Sequence, residues 1–431
     1  MSDDITLIRA GTVIDVRAGE ARRAQVIRVR GERIDSITSD EGRYEGGRVI
    51  DLSSATVMPG FIDCHAHLIG LNEDETGTVD YTSLLRRTGA QEALTGVRNA
   101  RSTLLAGFTT VRDVGTFRAH VDVALRDAIE AGWCIGPRMQ CAGAYVTVSG
   151  GGGDIPPVAP DVAVPRELRF GVANSVDEVR QRVREILHGG ADLIKVIATG
   201  AVMTRGTTPS APEFSEEEIH AAVEEAAMYD VFVAAHAHGA EGIKRAVRAG
   251  VRSIEHGSLM DDESIDLMAE RGTYLVADIF NGDWIAEIGR SHEWPEEILR
   301  KNAETTEAQR EGFQKAVKAG VRIAYGTDSG IYPHGLEARQ FPYMVRYGMT
   351  PMQAIQSATV VAGELMGWGD RVGSIEPGHY ADLVAVDEDP LEDIGRLTDV
   401  GFVMKGGDVV LRDGVRVMGG VAAPQGIGWL P

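Results

Sequence analysis

The stretch Pro59-Gly60-Phe61-Ile62-Asp63-Cys64-His65-Ala66-His67-Leu68 places two imidazoles two positions apart in an apolar run, bounded by a Pro-Gly turn and by Gly70. Such a run reads as a short buried strand, in which alternate side chains point the same way. His65 and His67 therefore share one face about 6–7 Å apart, and their neutral ring nitrogens suit a divalent cation. By itself the pair would serve equally as a hydrogen-bonded couple in a core. Four further strand-like segments carry residues of related chemistry towards their ends: Lys195 in 192–197, His236 in 231–236, His256 in 252–256 and Asp328 in 322–328. Five of these six residues are common metal ligands. Lys195 is the exception, because an ammonium inside an apolar strand is costly to bury and repels cations. Two readings stay open for it: a buried ion pair with Asp328 or a Glu, or an amine kept neutral by burial near positive charge, which reacts with CO₂ to give a carbamate whose oxygens bridge two cations.

The elements that must position these residues follow from the pattern along the chain. Residues 5–9, 25–29, 33–37 and 49–52 read as short strands bounded by Gly or charged turns, and the same texture returns at 381–386, 400–405 and 408–412. Between them, short apolar strands alternate with amphipathic helices, the signature of repeated βαβ units. Eight strands are expected, at 61–66, 108–113, 138–142, 192–197, 231–236, 252–256, 273–277 and 322–328. The predicted fold class is α/β: a (β/α)₈ TIM barrel over 59–374, with a small β-sandwich domain built by both termini, 1–58 plus 375–431. In such a barrel function gathers at the C-terminal ends of the strands, where all six residues would meet. A helix is expected over 216–229, opened by Ser215 with Glu218 three residues on. The stretches 71–84 and 147–165 are long and lie after barrel strands, so they are expected to be pocket loops. The glycine run 150–153 lacks the following Lys-Ser/Thr of a phosphate loop.

Composition narrows the function further. The 431 residues are enough for a full barrel and a satellite domain. A formal net charge of −21 repels phosphate backbones and anionic membranes, so neither nucleic acid nor a membrane surface is an expected partner. The start Met1-Ser2-Asp3-Asp4 is not that of a secretory leader, and no apolar run of spanning length follows, which points to a soluble, cytoplasmic protein. Cys64, Cys134 and Cys141 are too few and too scattered for a disulfide framework or a thiolate metal site.

With these residues in view the chain resembles the amidohydrolase superfamily, in its binuclear branch. The likeness runs through Gly60–His67 in the first strand and through Ala235-His236-Ala237-His238-Gly239, Ser253-Ile254-Glu255-His256-Gly257, Gly326-Thr327-Asp328-Ser329-Gly330 and Pro377-Gly378-His379-Tyr380-Ala381-Asp382. It implies metal ligation by His65, His67, carboxylated Lys195, His236, His256 and Asp328. The cations would be two divalent ions, expected as Zn²⁺, although the ligand set accepts Mn²⁺ or Co²⁺. His236 and His238 share a face, and the family spacing of 20 residues to His256 selects His236 as ligand and leaves His238 for substrate. Residues 195–202, 277–284 and 332–335 resemble the branch of metal-dependent dipeptidases and carboxypeptidases, with prolidase-like and ochratoxin-amidase-like relatives. The implied reaction is hydrolysis of a dipeptide or N-acyl amino acid, releasing a C-terminal amino acid. A metal-bridging hydroxide would attack, Asp328 would shuttle the proton, and Lys195 and His256 would take part in catalysis. Candidate substrate contacts are His238, Tyr145, Arg205, His334 and Arg339. The resemblance also implies a homo-oligomer such as an octamer acting on a small molecule. A hydrolase of cyclic amides of the imidazolone type and a non-catalytic metal-binding descendant are the alternative readings.

Overall fold

The computed structural model describes residues 5–44, 46–70, 83–155, 158–159, 161–412 and 415–417. Its strands, in chain order, are β1 (Ile5–Asp15), β2 (Glu20–Arg30), β3 (Arg33–Ser39), β4 (Arg48–Pro59), β5 (Phe61–Ala66), β6 (Phe108–Asp113), β7 (Arg138–Cys141), β8 (Tyr145–Val146), β9 (Ile194–Ile197), β10 (Val233–Gly239), β11 (Ser253–Leu259), β12 (Tyr274–Ala277), β13 (Ile323–Tyr325), β14 (Leu383–Val386), β15 (Phe402–Lys405), β16 (Asp408–Arg412) and β17 (Val415–Arg416).

The two ends of the chain meet in one sheet ordered β17-β16-β15-β14-β4-β1-β2-β3. β4 joins them: it runs parallel to β1 on one side and antiparallel to β14 on the other. The sheet curls, because β3 hydrogen-bonds back to the segment that leads into β14, from Ile34 N to His379 O and from Ala381 N to Glu32 O. Apolar residues from both ends, Ile8, Ile27, Ile34, Val57, Leu383 and Phe402, pack into one cluster inside the curl.

All the strands from β5 to β13 pair in parallel, in two groups, β5-β6-β7 and β13-β12-β11-β10-β9-β8. Every residue of β6, β9, β10 and β12 is buried, as expected for strands covered on both faces. Parallel neighbours need crossovers, and helices supply them. The helix Ala240–Ala249, between β10 and β11, buries Gly242, Ile243, Ala246 and Val247 along one stripe. The helix expected from Ser215 is Glu216–Ala227, with Ser215 Oγ accepting from Glu218 N and Glu218 Oε2 accepting from Ser215 N. The two groups are joined at both flanks: Asp192 N donates to Cys141 O, and Thr327 N and Asp328 N donate to His65 O. This last pair of bonds explains why β13 is shorter than predicted. The chain leaves the strand at Gly326, where a Cβ would lie 2.9 Å from that of His65, so only glycine allows the approach.

The expected pocket loop 71–84 lies, apart from 83–84, outside the described residues. The loop 147–165 brings Gly152 and Gly153 to the wall of the central cavity. Among the described residues, no helix is long and apolar enough to cross a membrane.

Candidate metal centre

Six residues from five strands or their ends converge on a cavity of about 140 Å³: His65, His67, Lys195, His236, His256 and Asp328 all line it, together with His238. One ligand atom from each of His236, His238 and His256 lies within 4.8 Å of the others, and the same holds for His65, His256 and Asp328. His67 joins through Asp328, whose Oδ1 lies 3.3 Å from His67 Nε2 and 3.6 Å from His65 Nε2. His256 and Asp328 both adopt left-handed backbone, at φ 70° and 55°. Such strain costs roughly 1–3 kcal/mol for a non-glycine residue and concentrates at functional sites. Here it turns both side chains off their strands into the cavity.

The remaining ring nitrogens are held from behind. Glu255 Oε2 accepts from His65 Nδ1 at 2.8 Å, Gly115 O from His67 Nδ1 at 2.9 Å, and Asp278 Oδ1 from His256 Nδ1 at 3.0 Å. This leaves the Nε2 atoms of all three facing the cavity. His236 is the reverse, with Nε2 3.3 Å from Gly200 O and Nδ1 left over. His238 Nδ1 meets Ser258 Oγ at 2.8 Å. Burial pushes His65, His236 and His238 well below the ordinary imidazole range, so they are neutral and can ligate. For His67 burial acts in the same direction, but its hydrogen bond and charge contact with Asp328 raise it instead.

Lys195 is 1% exposed, and its Nζ has no hydrogen-bond partner. Burial lowers it to about 8. The ion pair with Asp328 or a Glu that the sequence left open is not formed. An unpaired ammonium among imidazoles is unfavourable, whereas an amine carrying an anionic cap beside cations would satisfy every group present. The residues therefore fit a pair of divalent ions.

The substrate candidates separate. Tyr145 lines the cavity, but its hydroxyl donates to Gly115 O at 2.9 Å and sits 3.3 Å from His67 Nδ1. His334 stands behind the site, with Nε2 3.1 Å from His67 O and Nδ1 3.0 Å from Thr103 Oγ1. Arg205 is exposed in a neighbouring depression that shares Thr204 with the cavity, and Arg339 is exposed and does not line the cavity. Among the described residues, Lys195 is the only lysine or arginine in the lining.

Sequence reading missed Glu255, Arg112, Asp278, Asn281 and Gln309. Gln309 Nε2 donates to Asp278 Oδ1 at 2.8 Å, and Asn281 Nδ2 reaches Asp278 Oδ2 at 3.2 Å and Asp328 Oδ2 at 3.1 Å. Glu255 carried a usable signal, a charge in an apolar strand beside a candidate ligand, which is the criterion that singled out Lys195. Asp278 directly follows β12 and falls under the strand-end rule one residue past the predicted end.

Parallel strands joined by helices bring this set of residues to one cavity, which makes this an α/β protein with a candidate metal centre at the strand ends. The sequence profile of the amidohydrolase family matches residues 56–410, and the chain belongs to that family. It is 35% identical over 384 residues to the ochratoxinase of Aspergillus niger, covering 83% of this chain and 76% of that one. Among solved structures, a Xaa-Pro dipeptidase with methionine bound in its active site superposes with a TM-score of 0.88 at 39% identity, covering 94% of this chain and 99% of that chain. A prolidase complexed with N-methylphosphonate-L-proline gives 0.86 at 33% identity, covering 95% and 100%.

Proposed function

We propose that this protein is a metal-dependent amide hydrolase that cleaves dipeptides or N-acyl amino acids and releases the C-terminal amino acid. The observation that carries the reading is the partnerless Lys195 amine inside a ring of histidines and one carboxylate. The relatives named for ochratoxin, Xaa-Pro and prolyl substrates support the choice of an amide with an amino-acid leaving group. In this reading the eight strands β5–β7 and β9–β13 close as a (β/α)₈ barrel over 59–374, with β8 a short addition beside β9, and 1–58 with 375–431 form the satellite β domain.

His65, His67, Lys195 as its carbamate, His236, His256 and Asp328 would hold two divalent cations, with Zn²⁺ the expected metal. Bound there, the cations supply Lewis acidity towards the scissile carbonyl and lower the pKa of water. Asp328 takes the proton of the attacking water and delivers it to the departing nitrogen, because a carboxylate at the rim of the cluster can serve first as base and then as acid. Asn281 Nδ2, donating to Asp328 Oδ2, fixes the carboxylate for that transfer. Tyr145 closes the wall beside His67. Where the Ser258 hydroxyl donates to His238 Nδ1, Nε2 of His238 carries the proton and becomes a donor for the substrate carboxylate, while His236, anchored through Nε2, ligates through Nδ1.

The strand-five histidines give one test. His236→Ala should be metal-poor and nearly inactive, whereas His238→Ala should keep its metal and show a raised KM or lowered kcat. Metal analysis of both variants checks this, and a metal-replete His236→Ala beside a depleted His238→Ala would reverse the assignment. The reading as a whole is tested on the metal-loaded enzyme with a panel of dipeptides, N-acyl amino acids and cyclic imidazolone-type amides. Turnover of the first two groups that a chelator abolishes is expected; turnover confined to the cyclic amides, or none at all, would overturn it.

A further inference from the structure

Beneath the histidines lies a buried charge pair that the hydrolysis above leaves without a task. Arg112, on β6, donates from Nη2 to Glu255 Oε1 at 2.7 Å, from Nη1 to Ser253 Oγ at 3.1 Å and from Nε to Cys64 O at 2.6 Å. Ser253 Oγ donates to the same Glu255 Oε1 at 2.5 Å. The other oxygen, Oε2, faces His65 Nδ1 at 2.8 Å. Glu255 is fully buried, and the left-handed turn at His256 lets these two successive residues of β11 both serve the centre, where a regular strand would send them to opposite faces.

The chemistry leaves one arrangement. A carboxylate only accepts, so Nδ1 of His65 must carry the proton and the lone pair must sit on Nε2, the nitrogen directed at Asp328. We infer that the Arg112–Glu255 pair is a positioning device that selects the ligating tautomer of His65 and holds its ring against the cation site. The inference rests on the proposed role of His65 as a ligand. A pair that served only as a strut could be exchanged for neutral groups of the same shape with little change at the metal, as often holds for buried ion pairs. A tautomer selector cannot tolerate the loss of its acceptor while the guanidinium remains.

Glutamine at 255 separates the two. Its amide has one acceptor and one NH₂. With the oxygen towards Arg112, the NH₂ faces Nδ1 and forces the proton onto Nε2, which removes the ligating lone pair. With the oxygen towards His65, the NH₂ abuts the guanidinium. Adding Arg112→Met relieves this conflict: the NH₂ can turn to Ser253 Oγ, and the carbonyl can again accept from Nδ1.

The experiment measures metal per chain and metal dissociation constants by chelator competition for the wild type, E255Q and R112M/E255Q, with circular dichroism and thermal melting on the same samples. E255Q is expected to keep the fold and bind metal about 10–100-fold more weakly, the usual effect of losing such a partner, and the double variant to recover at least tenfold of that loss. Equal affinity of E255Q and wild type, or a double variant no better than E255Q, would overturn the inference. Should E255Q fail to fold, a folded double variant with near-wild-type affinity upholds it, and failure of both to fold makes the pair a strut and overturns it. A wild type that binds no metal would instead refute the proposed function.

Discussion

Lys195→Ala is expected to purify with roughly a tenth or less of the wild-type metal content and to lose on the order of 10³-fold in kcat/KM, more than the roughly 10–100-fold that losing a group behind a ligand costs. The physical case is the environment of Nζ, which is buried, has no hydrogen-bond partner and is lowered by desolvation to about 8. At neutral pH about a tenth of such an amine is unprotonated, and only that form reacts with CO₂. The neutral fraction grows as pH rises through the folded-state value, so metal loading of stripped wild-type protein should accelerate from pH 6.5 towards about 8 and should require bicarbonate. Short carboxylic acids should restore part of the activity of Lys195→Ala by standing in for the carbamate. Elemental analysis and loading kinetics check these outcomes, and full metal content with normal turnover in Lys195→Ala would remove the bridging role.

Asp328→Asn should hold its backbone, because asparagine tolerates the left-handed φ of 55° as aspartate does. Its single amide oxygen then has two claims to meet, from the cation side near His67 and from Asn281 Nδ2. Metal affinity should fall modestly. The larger effect is on the chemistry: an amide cannot take a proton, so kcat should drop by roughly 10²–10⁴, the usual worth of a positioned acid or base, with substrate binding little changed. Single-turnover cleavage of one good dipeptide by the metal-loaded variant measures this directly. A rate within about threefold of wild type would take Asp328 out of the proton path and leave it a ligand only.

What the sequence by itself determined is whatever repeats along one element. His65 and His67 were legible because a strand has period two, and Lys195 because a charge inside an apolar run demands a reason. The apolar strands and the amphipathic helices between them announced the parallel α/β unit, and Ser215 with Glu218 fixed a helix start to the residue. Only the tertiary structure decided which groups stand behind the ligands. Arg112 reaches Glu255 across 143 residues, and Asp278 meets Gln309 across 31. It also withdrew Arg205, His334 and Arg339 from the cavity wall, although all three follow strands whose ends line it. The reason is physical: periodicity reports which face of its own element a side chain takes, while pairing between elements depends on strand order, register and backbone turns such as those at His256 and Asp328, and no local pattern encodes these.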